Sequence, residues 1–145
     1  MRRDHVCVAI ALLGCGYFVG RTTADNARPP RYTIANCVTT FDADKVERTG
    51  AGYQFWFADK QFADGKTLKL SAVRANSASH APHEHEEDEF FFVLEGTAEF
   101  HLNGETATGG PLTSFYCPTG STHGIRNAGD TELKYLVIKK YPPGK

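Results

Sequence analysis

The chain has no block of basic residues. Its 16 Lys and Arg are scattered among 17 Asp and Glu, for a formal charge of −1. This argues against a nucleic-acid partner held by phosphate neutralisation. No apolar run is long enough to cross a bilayer comfortably as a helix, the run at residues 6–14 being too short. After Tyr32 no stretch keeps a 3.6-residue period, so a helical bundle is not expected. Nor is any long tract poor in apolar residues. Ten Phe and six Tyr lie among many Val, Leu and Ile, which speaks against disorder. What remains is a chain of 145 residues, 41% hydrophobic, enough for one domain with a real core and too short for two. Fourteen Gly and seven Pro stand in short clusters, the mark of many turns and a β-rich domain.

The N-terminus belongs to a separate problem. Arg2 and Arg3 precede the apolar run at 6–14, giving the charged and apolar regions of an export signal. The run ends Leu12-Leu13-Gly14-Cys15, which resembles the bacterial lipobox. That resemblance implies cleavage before Cys15, lipidation of its thiol, and a periplasmic or membrane-attached protein. On this reading residues 1–20 form the export segment, and any membrane contact is made only through that anchor. Residues 21–31, with Pro29-Pro30, read as an extended tether. An ordinary signal peptide or an uncleaved anchor is the alternative. Among the other cysteines, Cys37 and Cys117 could pair in an oxidising compartment or could each be a small, free residue.

The body reads as strands. Aromatic or β-branched runs at 53–57, 67–75, 89–94, 97–102, 105–108, 113–117, 123–127 and 133–140 alternate with turn signals. Asn103-Gly104 is the strongest of these signals, because both central residues of a type I′ hairpin need positive φ. Only residues 39–48 could hold a helical turn. About eight short strands at close spacing predict an all-β sandwich or barrel in one domain. Residues 32–66 would complete the barrel whose core is 67–141.

The chemistry gathers between His83 and Asn127. His83, His85 and Glu89 share parity, so on an extended segment their side chains point to one face. His123, after the Pro118-Thr119-Gly120 turn, offers a third imidazole from a distant segment. Three imidazoles and one carboxylate suit one divalent transition metal ion per chain and leave coordination positions open. The residue types leave iron, manganese, nickel and zinc as options. The alternative for each His is a structural side chain. The acidic run Glu84, Glu86, Glu87 and Asp88 reads as solvated, with Glu87 the member that shares the ligands' parity.

The full spacing, His83-x-His85-x3-Glu89-x6-Gly96 followed by Pro118-x-Gly120-x2-His123-x3-Asn127, resembles the two signature motifs of the cupin superfamily. This resemblance implies a double-sheet jelly-roll barrel, with metal ligands at His83, His85, Glu89 and His123. Two positions depart from the pattern: Ser77 and Leu112 stand where the family often has Gly. The resemblance does not name a reaction, since the superfamily spans isomerases, decarboxylases, dioxygenases, and sugar-binding and storage proteins.

Proton-transfer and anchoring groups near such a site are few. The candidates for a catalytic role are Arg74, Glu87, Tyr116 and Tyr135. Arg74 is expected on the core-facing series Leu68, Leu70, Ala72, where it could grip a carboxylate or pair with the acidic loop. His80 and His101 are expected to face away from the core, and Asn127 to be a strand-end residue. Residues 90–94 are apolar on both faces and call for cover from a second sheet or a partner subunit, and together with the aromatic run at 53–57 they predict a homodimer. The function expected is a metal-dependent enzyme acting on a small carbohydrate-derived acid or keto-sugar by isomerisation or enolisation. A non-catalytic metal- or sugar-binding module and an iron dioxygenase are the alternatives.

Overall fold

The computed structural model describes residues 32–142; the export segment and tether expected at 1–31 lie outside the described residues. The domain is built from nine strands: β1 (Glu47–Thr49), β2 (Gly52–Ala58), β3 (Lys66–Val73), β4 (Glu89–Glu95), β5 (Ala98–Leu102), β6 (Glu105–Gly109), β7 (Ser114–Cys117), β8 (His123–Asn127) and β9 (Leu133–Lys140). A short helix α1 (Ile34–Cys37) and a 3-10 turn (Ala43–Lys45) precede them. The turn falls inside the stretch expected to hold one. β1 and α1 had no clear sequence signal, being three and four residues long.

Two antiparallel sheets face each other, one ordered β1-β2-β3-β9-β4-β7 and the other β6-β5-β8. Between them lies one core, in which Phe91, Phe115 and Val137 of the large sheet meet Phe100 and Ile125 of the small one. Phe100 stacks on Phe115 at 4.4 Å and meets Phe91 edge-on at 5.9 Å. This is the double-sheet jelly roll expected.

The Asn103-Gly104 hairpin forms as read, with φ of 50° and 89° at its two central residues. Leu112 also takes a left-handed conformation, φ 66°, and its side chain is exposed. The reason for glycine at that place is therefore steric: a Cβ there crowds its own backbone. Gly96, with φ 83°, has no such latitude, because a Cβ would lie 2.7 Å from the Glu132 carbonyl oxygen.

Asn127 is more than a strand-end residue. It is fully buried, and its amide donates to the Val73 carbonyl (2.9 Å) and the Thr131 carbonyl (2.7 Å) while its oxygen accepts from Gly129 N–H (2.9 Å). Val73 belongs to the large sheet and Asn127 to the small one, so this side chain ties the two together.

One register expectation is overturned. On β3 the residues facing the core and the cavity are Lys69, Ser71 and Val73, while Leu70 and Ala72, also buried, lie on the opposite face. The inner face is polar here because it lines a cavity, so apolar alternation points to the wrong side. Arg74 therefore continues the outer series. It is exposed, and its guanidinium donates to the Gly50 carbonyl at 2.7 Å. Cys37 and Cys117 are both free thiols, one exposed and one buried, so the disulfide option is not realised.

Candidate metal centre

The large sheet presents its inward side chains in rows set by strand register. One row runs Cys117, Glu89, Lys139, Thr67 across β7, β4, β9 and β3. The next runs Phe115, Phe91, Val137, Lys69, Trp56, and a third runs Val93, Tyr135, Ser71, Gln54. Glu89 is thus held as the first residue of β4, buried in a row shared with β7, β9 and β3.

His123 faces this row from the start of β8 in the opposite sheet and is fully buried. His83 and His85 do not continue β4 as one strand. They lie on the loop before it, where His83 pairs with His123 through two backbone hydrogen bonds of 2.9 and 2.8 Å. Gly120 N–H donates to the His85 carbonyl at 3.0 Å and pins the second histidine. The close approach of this loop explains Gly124, whose added Cβ would meet Pro82 Cα at 3.1 Å. Both histidines still turn inward: one ring nitrogen from each of His83, His85 and His123 lies within 4.8 Å of the others.

Glu89 Oε1 stands 3.0 Å from His123 Nε2 and 3.7 Å from His85 Nε2. The structure therefore brings His83, His85 and His123 together and sets Glu89 against the last two. His123 Nδ1 lies 2.7 Å from the Ser121 carbonyl, which can only accept, so Nδ1 carries the proton. In a neutral ring, Nε2 is then a bare lone pair facing a carboxylate oxygen. On a neutral ring that lone pair and the carboxylate oxygen can hold one cation between them, with a backbone carbonyl orienting the imidazole behind; on a protonated ring Nε2–H donates to Glu89. His85 Nδ1 is buried without a hydrogen-bond partner. Burial and the neighbouring imidazoles hold the His83 pKa below its ordinary value, which keeps its lone pair free. These residues fit a divalent metal ion.

Lys139 was not legible as a site residue. Its Nζ lies 2.9 Å from His85 Nε2, 3.7 Å from Glu87 Oε2 and 3.8 Å from Glu89 Oε2, so the donor cluster already gathers positive charge. The inward parity of Tyr135, Val137 and Lys139 on β9 was the available signal. Cys117 groups with Glu89 and His123, but burial, and then Glu89, push its thiol up to about 12. It is a protonated thiol at neutral pH.

A cavity of about 280 Å³ opens beside the cluster, lined among others by Gln54, Lys69, Ser71, His83, His85, Glu89, Tyr135 and Lys139. Of the four catalytic candidates, Tyr135 lines it, and burial raises its pKa, so the hydroxyl stays protonated. Glu87 Oε2 flanks His85 Nδ1 at 3.8 Å. Arg74 and Tyr116 are not brought to the cavity. Tyr116 points outward, half-exposed, stacks on Phe90 and donates to Asp88 at 3.2 Å. His80 is exposed on the rim, its ring 4.5 Å from that of His83. His101 pairs with Glu99 away from the site.

Fold and cluster together define a jelly-roll barrel with a histidine-rich site able to hold a metal ion. The cupin domain model matches residues 70–139, and the chain belongs to the cupin superfamily. No curated protein matches the chain in sequence. Among solved structures, it is similar to a predicted oxalate decarboxylase from Thermotoga maritima, with TM-score 0.62 and 20% identity over 70% of this chain and 98% of that one. It is also similar to a sugar phosphate isomerase of the cupin superfamily from Silicibacter pomeroyi, with TM-score 0.61 and 20% identity over 72% and 77%. The polyketide cyclase RemF from Streptomyces resistomycificus shares the fold at TM-score 0.60 and 24% identity over 74% and 82%. Those proteins span three chemistries by name, so the shared fold does not select one.

Proposed function

We propose that the chain binds one divalent transition metal ion (iron, manganese, nickel or zinc) through His83, His85, Glu89 and His123. With it, the chain acts on a small carbohydrate-derived acid or keto-sugar by an isomerisation that proceeds through enolisation. The observation that carries this reading is the convergence of three imidazoles and a buried carboxylate beside a polar cavity that His83, His85 and Glu89 line. When bound, the ion would supply Lewis-acid stabilisation of the negative charge that develops on enolisation. The chain's own residues prepare the site. The Ser121 carbonyl sets the His123 tautomer, and desolvation together with the neighbouring imidazoles lowers the His83 pKa. The Tyr135 hydroxyl offers a protonated donor on the cavity wall.

One observation favours the second reading, a non-catalytic binding module. Arg74 and Tyr116 lie away from the cavity, which leaves few groups able to move a proton. We further propose that the protein is exported, is anchored through a lipidated Cys15, and works as a homodimer.

Metal analysis of purified protein tests the site. His83→Ala/His85→Ala should lose more than half of the wild-type metal, and equal stoichiometry would overturn the assignment. A panel of sugar acids and keto-sugars followed by NMR then tests the reaction. Turnover by the metal-loaded protein supports it, whereas binding without chemical change points to the binding module. Consumption of dioxygen by an iron-loaded sample would make the site a dioxygenase.

A further inference from the structure

Lys69 is the cation of this cavity that the metal cluster does not use. Register places it in the middle inward row, between Trp56 and Val137 and one row away from Gln54, Ser71 and Tyr135. Lys139, by contrast, is engaged with His85, Glu87 and Glu89. Lys69 makes no ion pair with a carboxylate among the described residues. Its ammonium lies over the face of Trp56, 5.0 Å from Nζ to the ring centroid. Burial is the leading cause that lowers its pKa, with the Lys139 charge acting in the same direction and Glu89 and Glu47 against it.

An ammonium turned into a partly enclosed cavity is costly unless an anion meets it. The cavity wall itself supplies two lysines against the single carboxylate of Glu89, before any metal charge is added. The row beside Lys69 adds the neutral Gln54 amide, Ser71 hydroxyl and Tyr135 hydroxyl and ends on Glu47, whose carboxylate is taken up by Gln54 and by Trp56 Nε1. Gln54 spends one amide hydrogen on Glu47 and keeps a second. One ammonium with neutral donors matches a singly charged, two-oxygen anion. A phosphate dianion carries more charge than one ammonium offsets, and the lining holds no Arg to grip it as a fork. The volume, about 280 Å³, suits a small molecule.

We propose that Lys69 is the specificity-determining residue of the cavity and that its ligand is a small carboxylate, held by the Lys69 ammonium and the neutral donors beside it. This rests on the reading of the cavity as the ligand site and selects the sugar acid over the neutral keto-sugar. Because the carboxylate lies on the β3 wall, the rest of the molecule is free to reach the histidine cluster.

The test is calorimetric binding of D-galacturonate, D-galactose and D-galactose 6-phosphate to the full protein, with metal content measured on the same samples. Wild type should bind galacturonate at least ten times more tightly than galactose, and more tightly than the phosphate. Lys69→Met keeps the stem and removes the charge, and it should erase that preference while galactose affinity and metal content stay unchanged. Lys69→Gln serves as a second neutral variant, and Lys69→Arg should restore most of the preference. A neutral variant that still prefers galacturonate would overturn the proposal. So would a wild type that binds the neutral sugar equally well, prefers the phosphate, or takes up no galacturonate at millimolar concentration. The two readings separate cleanly. Loss of preference in Lys69→Met with no metal in wild type sinks the metal reading alone, whereas bound metal with preference retained sinks the Lys69 reading alone.

Discussion

Asn127→Ala is the sharpest probe of how this barrel is held closed. The wild-type side chain is fully buried and makes three hydrogen bonds, to the carbonyls of Val73 and Thr131 and from the N–H of Gly129. Truncation leaves two acceptors and one donor unmatched. Each buried group left without a partner costs about 1–3 kcal/mol. With some relaxation the total should be about 3–5 kcal/mol, a large share of the roughly 5–15 kcal/mol that holds a domain folded. Urea denaturation followed by circular dichroism measures it, and Tm should fall by roughly 10–20 °C. Metal content per folded chain should not change, because Asn127 touches no ligand. Asn127→Asp adds a sign test. It keeps the acceptor for Gly129 but sets a carboxylate against two carbonyl oxygens, so its folded pKa must lie above the unfolded value near 3.9. A raised folded pKa means stability is present below the unfolded value and is lost as pH rises through the folded one. This variant should therefore gain stability relative to wild type as pH falls toward 4. A loss under about 1 kcal/mol for the alanine variant would refute the cross-link account.

Four further outcomes follow from the same structure. Leu112→Gly should raise stability, because the exposed leucine sits at φ 66°, where a side chain costs about 1 kcal/mol; a lower Tm would show that glycine's extra chain entropy wins. Iodoacetamide at pH 8 should label Cys37 and spare Cys117 in the native protein, as peptide mass mapping would read, since burial holds the latter thiol at about 12. Because that folded pKa is raised, the contribution of Cys117 to stability is intact below its ordinary value near 9 and declines as pH rises from there toward 12. Light scattering should give twice the monomer mass, and Phe90→Lys/Ile138→Glu should halve it, because these paired side chains with Leu94 and Tyr116 leave an apolar outer face on β4, β9 and β7. Intact-mass measurement of native protein should find residues 1–14 removed and an acylated Cys15, and an unmodified Met1 would overturn export by this route.

Strand positions were legible wherever turn chemistry punctuated the chain. β8 and β9 have the limits expected, and the Asn103-Gly104 hairpin forms with both positive φ angles. The four cluster residues were legible because motif spacing survives distortion: His83 and His85 leave the strand for a loop, yet their rings still meet His123. β3 misled for a physical reason. Alternation reports which face is drier, and on a cavity wall the drier face is the outer one. Leu68, Leu70 and Ala72 therefore read as the core-facing series, and Arg74 was carried with them toward a cavity it does not reach.

By itself the sequence determined an all-β domain, its turn points and the four residues that cluster, since each follows from local backbone chemistry or from spacing along the chain. Only the tertiary structure decided which face of β3 is inside, that Lys139 stands beside His85, and that Asn127 joins the two sheets. These depend on register between strands far apart in sequence, and Val73 and Asn127 are 54 residues apart. No local pattern records which carbonyl of a distant strand a buried amide will meet, because that partner is set by the packing of the two sheets.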